Sequence, residues 1–345
     1  MSWPAERFGL VVAAALLFGG TPALEGSGRG AEEKPRPGEF LQRRGDEIVV
    51  CGQLVHTGAP VVLWLDPGGY DAYRVQRRFA PWAESSWQAS QQLVPGLRTP
   101  NRYGMRTAGL GPDEIEQLRN DGWDLARLRR VVDQFVLHYD ACGTSRRCFA
   151  VLHDVRGLSV HFLLDLDGTI YQTLDLKERA WHATIANTRS IGIEIANIGA
   201  FEVGKPAPFD RWYGQDSAGH VRIRLPDGAD GIRTKGFIGR PVRPQPIVGT
   251  IQGKRLRQYD LTRQQYDSLI QLTATLCQLL PRIVCDYPRD ERGELVRQKL
   301  PDDQLRQYHG ILGHFHVQTN KVDPGPAFQW DRVIGAARRI LDQPR

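Results

Sequence analysis

The stretch that decides the fold lies near the C-terminal end of the chain. It reads Gly313-His314, followed by Lys321-Val322-Asp323-Pro324-Gly325-Pro326. The histidine and the aspartate stand nine residues apart, and the Pro-Gly-Pro sequence fixes a turn that ends any helix or central strand. Imidazole and carboxylate groups both bind zinc, and a catalytic zinc takes three protein ligands and leaves one position open. The segment therefore indicates two ligands of a metal site whose third ligand lies elsewhere.

A histidine that ends an apolar strand offers the third ligand. His138 stands in the stretch Phe135–Tyr139, whose alternating pattern predicts a strand. A second predicted strand, residues 190–197, has three isoleucines on one face and Glu194 between a glycine and an alanine on the other. A carboxylate flanked by small residues has open space above it, which favours the floor of a cleft over a packed core.

Together these segments resemble the zinc-dependent N-acetylmuramoyl-L-alanine amidases, a family that includes phage-lysozyme-type amidases and the peptidoglycan recognition proteins. The resemblance extends over residues 130–335 and rests on His138, Ser159-Val160-His161-Phe162, Ala180-Trp181-His182-Ala183, residues 187–194, and the Gly-His and Lys-x-Asp-Pro-Gly-Pro segments. It implies an α/β fold, a central mixed β-sheet flanked by helices, with zinc at the base of a groove.

The resemblance also implies a role for each matched residue. The three zinc ligands would be His138, His314 and Asp323. Glu194 looks like the catalytic acid/base, and Lys321 looks like the residue that steadies the oxyanion. Positions near the substrate are matched by His161, Trp181, His182 and Asn187.

Amide hydrolysis at neutral pH accounts for these residue types. Zinc lowers the pKa of a water molecule from 15.7 to about 7. A carboxylate can accept the proton and pass it to the departing amine, and a cation can stabilise the negative oxygen of the tetrahedral intermediate. The implied activity is hydrolysis of the amide between N-acetylmuramic acid and L-alanine, in intact peptidoglycan or in soluble muropeptides.

A non-catalytic peptidoglycan-binding module is the alternative function, because some recognition proteins have lost a metal ligand. The presence of all three predicted ligands and of Glu194 favours the enzyme. Two positions depart from the family pattern. His316 stands where an acidic residue is common and could orient a ligand, lie at the surface or compete for metal. Val160 stands where some members carry a tyrosine, so no tyrosine can act in catalysis there.

Local signals predict the remaining elements. Residues 159–165 and 169–174 form a predicted hairpin about the turn Asp167-Gly168. Ser145 is expected to cap a helix that runs to residue 155. A capping-box pattern at Thr262 begins a long helix, and Pro326 is expected to begin the last one.

The chain is predicted to divide into three parts. Arg7, the apolar run Phe8–Gly20 and the small residues after it predict a secretory signal peptide over residues 1–23, with an uncleaved interfacial anchor as the alternative. This run is too short for a comfortable membrane span. Residues 24–124 are expected to be a linker and an N-terminal extension of unknown role, with short strands at 48–51 and 61–65. The amidase domain is predicted over residues 125–342, with an insertion expected at 202–256, and the protein is expected to be exported, periplasmic or extracellular.

The charge and the cysteine content of the chain limit the kinds of partner to be expected. The net charge of +6 is scattered along the chain, which indicates a solvated surface and no nucleic-acid partner. The expected partner is peptidoglycan or a muropeptide, and the protein is expected to be a monomer without a stable membrane span. Five cysteines fit an exported protein. Cys142 with Cys148, and Cys277 with Cys285, are the predicted disulfide pairs, which leaves Cys51 unpaired.

Overall fold

The computed structural model describes residues 36–94, 97, 99–226 and 230–343. Two compact units are distinguished, residues 1–42 and residues 43–345. The described part of the first unit, residues 36–42, holds no helix or strand. The predicted signal peptide and the first part of the linker lie outside the described residues.

Strands of the second unit form one central sheet and several small ones. In chain order the strands of the described residues are β1 (Glu47–Val50), β2 (Gln53–His56), β3 (Val61–Leu63), β4 (Tyr103–Met105), β5 (Gln134–Tyr139), β6 (Phe162–Leu164), β7 (Ile170–Gln172), β8 (Glu178–Ala180), β9 (Ser190–Ile195), β10 (Phe201–Glu202), β11 (Tyr213–Gln215), β12 (Val221–Ile223), β13 (Ile247–Ile251), β14 (Lys254–Gln258) and β15 (Gly310–Gly313). The central sheet has the order β15–β5–β9–β6–β7–β3. Its neighbours are parallel except for the predicted hairpin of β6 and β7, so the sheet is mixed.

Helices cover both faces of this sheet. The α-helices of the described residues are α1 (Trp87–Leu93), α2 (Pro112–Asp121), α3 (Leu125–Val131), α4 (Ser145–Phe149), α5 (Phe209–Trp212), α6 (Arg263–Leu279), α7 (Asp302–Gln307) and α8 (Trp330–Leu341). Helices α6 and α8 pack together on the face that carries the three isoleucines of β9. Helix α4 continues as a π-helical turn, Ala150–Val155, and packs against β6 and β9. The predicted α/β fold with a central mixed sheet flanked by helices is therefore confirmed.

No helix among these described elements is both long enough and apolar enough to cross a bilayer.

Three helix starts were predicted from the sequence. The structure agrees with one of them and differs from the other two. Helix α6 begins after the predicted capping box, in which Thr262 and Gln265 bind each other's backbone N–H groups. Helix α4 begins at Ser145 itself, and the cap is Thr144, whose hydroxyl accepts a hydrogen bond from the Arg147 N–H. The prediction that Ser145 is the cap was wrong by one residue.

The last helix begins later than its proline suggests. Helix α8 starts at Trp330 rather than at Pro326. The N–H group of Ala327 donates to the side chain of Gln258, and that of Gln329 donates to the Tyr266 hydroxyl. These contacts hold the segment outside helical geometry, so it forms a bridge between α6 and β14 instead.

Residues before position 125 contribute to the central sheet. Strand β3 forms its edge, parallel to β7, with Val61 opposite Ile170. Strand β4 pairs with β8, and just beyond it Arg106 is completely buried. The Arg106 guanidinium donates to the carbonyls of Leu176 and Ser190. The fold is therefore continuous across residue 125.

The predicted insertion, residues 202–256, holds strands of two small sheets rather than one hairpin or a long loop. Strands β11 and β12 form one, and β10, β14 and β13 form the other. Trp212 of α5 packs against Gly143, where a β-carbon would come within 2.4 Å of the indole ring. The insertion thus packs against the loop that follows β5.

Candidate active site

Sheet register brings the predicted metal ligands together. Strands β15 and β5 run parallel with Gly313 level with Leu137. His314 follows β15 directly and His138 is the next residue within β5, so both emerge at the same end of the sheet. Asp323 returns to this point from the following loop, and its carbonyl oxygen accepts the N–H of Phe315.

The ligating atoms of these three residues lie within hydrogen-bonding distance of one another. His138 Nδ1 is 2.9 Å from His314 Nδ1 and 3.0 Å from Asp323 Oδ2. His314 Nδ1 is 2.9 Å from the same carboxylate oxygen. All three side chains are buried, and the described residues offer one other group of this kind, formed by Asp46, Glu47 and His56. The second group is a poorer site, because its histidine is exposed and its carboxylates already accept backbone N–H groups.

Electrostatics at the buried cluster favour a bound cation. Burial, and then the neighbouring His314, lower the pKa of His138 to about 4. Burial acts to raise the pKa of Asp323, but His314 and His138 outweigh it and hold that pKa well below its usual range. At neutral pH an ionised, buried carboxylate therefore faces an uncharged imidazole, and this buried negative charge favours a cation at the cluster.

The donor set fits zinc. Two imidazole nitrogens and one carboxylate oxygen are ligands of catalytic zinc sites that keep one position open. Ligands bonded at about 2.0–2.1 Å around a tetrahedral ion lie roughly 3.3 Å apart. The separations of 2.9–3.0 Å between the three atoms are therefore only slightly too short.

In each histidine of the cluster, the ring nitrogen that faces away from the other candidate ligands also has a hydrogen-bond partner. His314 Nε2 is 2.7 Å from Gln318 Oε1, and His138 Nε2 is 3.0 Å from His182 Nδ1. An amide oxygen can only accept, so His314 donates its Nε2 proton and keeps a lone pair on Nδ1. Such partners fix the tautomer and the orientation of metal-binding histidines.

Glu194 lies beside this cluster with an uncommitted oxygen. Strands β5 and β9 place it level with His138. Its Oε2 atom is buried and has no hydrogen-bond partner among the described groups. Burial, and then the Asp323 carboxylate, raise the pKa of Glu194 well above its usual value, while Lys321 acts in the opposite direction. A carboxyl group without a fixed partner can take up and release a proton.

A cavity of about 310 Å³ opens over these residues. It is lined by the three candidate ligands, Glu194, Lys321 and His182. Among the described residues none forms an ion pair with the Lys321 ammonium, so its charge is available to a ligand. A cavity of about 380 Å³ lies between β13 and the start of α8, but it contains none of the predicted site residues.

His161, predicted to lie near the substrate, is not among the residues that line this cavity. Its side chain is fully buried, one layer behind the cleft. His161 Nδ1 accepts the N–H of Gly192, and Nε2 lies 2.9 Å from the Glu178 carbonyl and 3.0 Å from the Arg106 guanidinium. With both ring nitrogens engaged by the protein, His161 supports β9 from behind.

Of the other predicted substrate residues, His182 alone lines the cavity. Asn187 is buried, and its Oδ1 accepts the backbone N–H groups of His182 and Ala183. Trp181 is half-buried, and its backbone N–H donates to Ser159 Oγ. Trp181 and Asn187 therefore shape the loop that carries His182, and they are not among the residues that line the cavity.

Two residues at the site were not predicted from the sequence. Gln318 holds His314, and Ser190 Oγ lies 3.2 Å from His182 Nε2. Gln318 follows His314 by four residues, a spacing that places two side chains on one side of a helical turn. That spacing was a usable signal, whereas nothing in the sequence around Ser190 indicates its contact.

Two cysteines also line the cavity. Cys142 and Cys148 are free thiols whose side chains influence each other's ionisation. Cys277 and Cys285 are in the same relationship elsewhere in the fold. Both predicted disulfides stay predictions.

Comparisons with known proteins place the chain in a family. A family model described as N-acetylmuramoyl-L-alanine amidase matches residues 128–326, more than half of the chain. The chain therefore belongs to the N-acetylmuramoyl-L-alanine amidase family. It is an enzyme that hydrolyses the amide between N-acetylmuramic acid and L-alanine of peptidoglycan.

Several solved structures are similar to this chain at low identity, and no curated protein matches it. A selenomethionine derivative of AmpD is 18% identical, with a TM-score of 0.32, and the match covers 68% of this chain and 89% of that one. AmiD from E. coli, solved with the substrate anhydro-N-acetylmuramic acid-L-Ala-D-γ-Glu-L-Lys, is 18% identical, with a TM-score of 0.33, over 59% and 57% of the two chains. The endolysin LysCS from Clostridium intestinale is 15% identical, with a TM-score of 0.32, over 61% and 86%.

Proposed function

We propose that this amidase is a zinc enzyme whose metal is held by His138, His314 and Asp323. The observation that carries the proposal is the mutual approach of their ligating atoms to 2.9–3.0 Å in a buried cluster. When bound there, zinc supplies an acidified water molecule and polarises the scissile carbonyl.

Glu194 is the proposed acid/base. It stands level with His138 on the neighbouring strand, and its Oε2 has no partner in the described structure that would have to be displaced. As the carboxylate it accepts a proton from the attacking water, and as the acid it returns that proton to the departing amine of L-alanine. A positive charge in the ligand cluster favours the ionised form at the start of this cycle, because it offsets the repulsion from Asp323.

Lys321 is the proposed stabiliser of the oxyanion. It lines the cavity and stands two residues before Asp323, so one loop carries both a ligand and the cation. A fixed positive charge beside the reacting carbonyl favours the transition state, where negative charge develops on oxygen.

The proposed location is outside the cytoplasm, and the protein is proposed to act as a monomer. Support for export comes from the signal-peptide pattern of residues 1–23, which lie outside the described part of the structure, and from the two thiol pairs. The substrate is peptidoglycan or a muropeptide derived from it.

The test combines metal content with product analysis. Protein purified without chelators should carry about one zinc per chain and should release stem peptides with an N-terminal L-alanine from sacculi, from soluble muropeptides or from both. His314→Ala should lose zinc and activity together, whereas His56→Ala, in the exposed group, should retain both. A parent protein that carries no transition metal would overturn the zinc proposal. Binding of wall fragments without any release of peptide would favour the non-catalytic module.

A further inference from the structure

We propose that His182 is a positioning residue for the metal ligand His138, and that Ser190 and Gly192 hold its ring in place. This inference rests on the proposed function, because it concerns how one zinc ligand is presented. It differs from a substrate contact, the role that the family resemblance implies for His182.

Both ring nitrogens of His182 are engaged by the protein. Nδ1 lies 3.0 Å from His138 Nε2, and Nε2 lies 3.2 Å from Ser190 Oγ. The two imidazoles meet nearly at right angles, with ring centroids 5.2 Å apart and 81° between the planes. The 3.0 Å separation of the two nitrogens is within the range of a hydrogen bond. A substrate could bind a His182 nitrogen only by displacing one of these partners.

Strand β9 provides the space that the His182 ring occupies, which we call the seat of His182. A β-carbon at Gly192 would lie 2.5 Å from His182 Nδ1 and Cε1, so the absence of a side chain there makes room for the imidazole. The backbone at Gly192 has no positive φ, so space rather than conformation requires glycine. Asn187 fixes the other side by accepting the backbone N–H of His182.

The protons can be assigned from the role of His138. To offer a lone pair on Nδ1 to a metal, neutral His138 must carry its proton on Nε2. That proton is donated to His182 Nδ1, and His182 in turn donates its own Nε2 proton to Ser190 Oγ. In the opposite arrangement His182 donates to His138 Nε2, which moves the proton of His138 to the ligating atom and blocks metal binding. An acceptor at the Nδ1 position of His182 therefore favours the ligating tautomer.

The other histidine ligand has an equivalent partner of a different type. His314 donates to the amide oxygen of Gln318, just as His138 is inferred to donate to His182. Each imidazole ligand thus has one acceptor behind it. Removing such a partner commonly weakens metal binding by about 10–100-fold.

The experiment measures zinc affinity by chelator competition, together with the visible absorption of the cobalt-substituted protein. His182→Leu should bind zinc about 10–100-fold more weakly than the parent and should alter the cobalt bands. His182→Asn should recover most of the affinity, because its side-chain oxygen can occupy the Nδ1 position as an acceptor. His153→Leu is the matched control. His153 is also buried but is held by Asp154 and the Arg74 carbonyl, so this variant should lose stability and keep its zinc affinity.

The outcomes separate this inference from the proposed function. A parent that binds no zinc overturns the proposed function. A parent that binds zinc while His182→Leu binds it equally well overturns only the positioning role. Equal losses in folded His182→Asn and His182→Leu would also overturn it, because a packing role does not depend on a hydrogen-bond acceptor.

Discussion

The imidazole of His182 lies against the backbone of Gly192 so closely that a β-carbon at residue 192 would stand 2.5 Å from the ring. The space above the small residue of β9 is therefore filled by a side chain of the protein. Two residues further along the same face, Glu194 turns its carboxyl group to the cavity. One strand face thus supports the neighbour of a metal ligand and supplies the proposed acid/base.

Gly192→Ala is expected to weaken zinc binding. The added methyl group must push the His182 ring away from His138, so affinity should fall by about 10-fold or more. Overpacking should also lower the free energy of unfolding by about 1–3 kcal/mol. Ala196→Gly changes one methyl group on the same face without touching His182, and it should leave zinc affinity unaltered. A folded Gly192→Ala protein with the zinc affinity of the parent would contradict the proposed seat of His182.

Glu194→Gln should separate chemistry from metal binding. The amide keeps the shape of the side chain but cannot accept the proton, so hydrolysis should fall by about 100-fold or more. Zinc content, measured by elemental analysis, should stay at the level of the parent. Glu202→Gln, on the exposed strand β10, is the control and should keep full activity. Hydrolysis by zinc-loaded Glu194→Gln at close to the parent rate would show that the assigned acid/base is wrong.

Lys321→Ala should also lower the rate while leaving the metal in place. It removes from the cavity a positive charge that has no ion-pair partner among the described residues, and the loss of one such stabiliser typically costs about 100-fold or more in kcat. The measurement is kcat on a defined muropeptide, with zinc content determined on the same sample. Lys254→Ala, which changes an exposed lysine of β14, controls for the loss of charge alone. An unchanged kcat in Lys321→Ala would remove this residue from the mechanism.

Asp165 should make the protein less stable as pH rises. Burial raises the pKa of its carboxyl group to about 7, and Oδ2 has no hydrogen-bond partner in the described structure. The unfolded chain releases this proton near pH 4, so between pH 4 and 7 the folded state holds more protons and the free energy of unfolding falls with pH. The contribution is fully present below pH 4 and is lost by about pH 7.

Asp165→Asn tests this directly. The amide cannot ionise, so the variant should gain stability relative to the parent between pH 5 and pH 8. The two pH units between pH 5 and the folded pKa of about 7 correspond to a gain of up to about 3 kcal/mol. Urea unfolding of both proteins at the two pH values gives the difference. A difference that does not change with pH would mean that Asp165 ionises in the fold as it does in the unfolded chain.

Cys142 and Cys148 are expected to form a disulfide in exported protein. Both thiols line the same cavity, and an oxidising compartment favours the bond. Mass spectrometry under non-reducing conditions should find the two peptides linked and Cys51 free. Recovery of both cysteines as free thiols from such a compartment would contradict the prediction. The Cys277–Cys285 pair is expected to give the same result.

The metal cluster could be predicted from the sequence because the patterns that indicate it are local. His138 and His314 each follow an apolar strand, and parallel strands end at the same edge of a sheet. His161 shows the limit of such signals. Its strand position resembles that of a cleft residue, but Arg106 lies behind it, brought there by the pairing of β4 with β8. No local sequence pattern near residue 106 predicts the pairing of β4 with β8.

The place of strand β3 at the edge of the central sheet was not predicted, for a related reason. Residues 61–65 were expected to form a strand, but three buried apolar residues do not reveal which sheet they join. Their partner β7 lies more than a hundred residues further along the chain. The role of β3 is therefore a property of the tertiary fold and could not be predicted from its composition.

Strand β3 and Arg106 also determine where a shorter expression fragment of this chain can begin. A fragment beginning at residue 125 would leave the N–H and C=O groups of β7 unpaired along an open edge, which invites pairing with other molecules. It would also leave the carbonyls of Leu176, Asn187, Thr188 and Ser190 without the buried donor that now binds them. We therefore expect the segment that carries the family motifs to be unstable when expressed alone. An expression fragment or a domain fusion should begin near residue 43, where the compact unit begins.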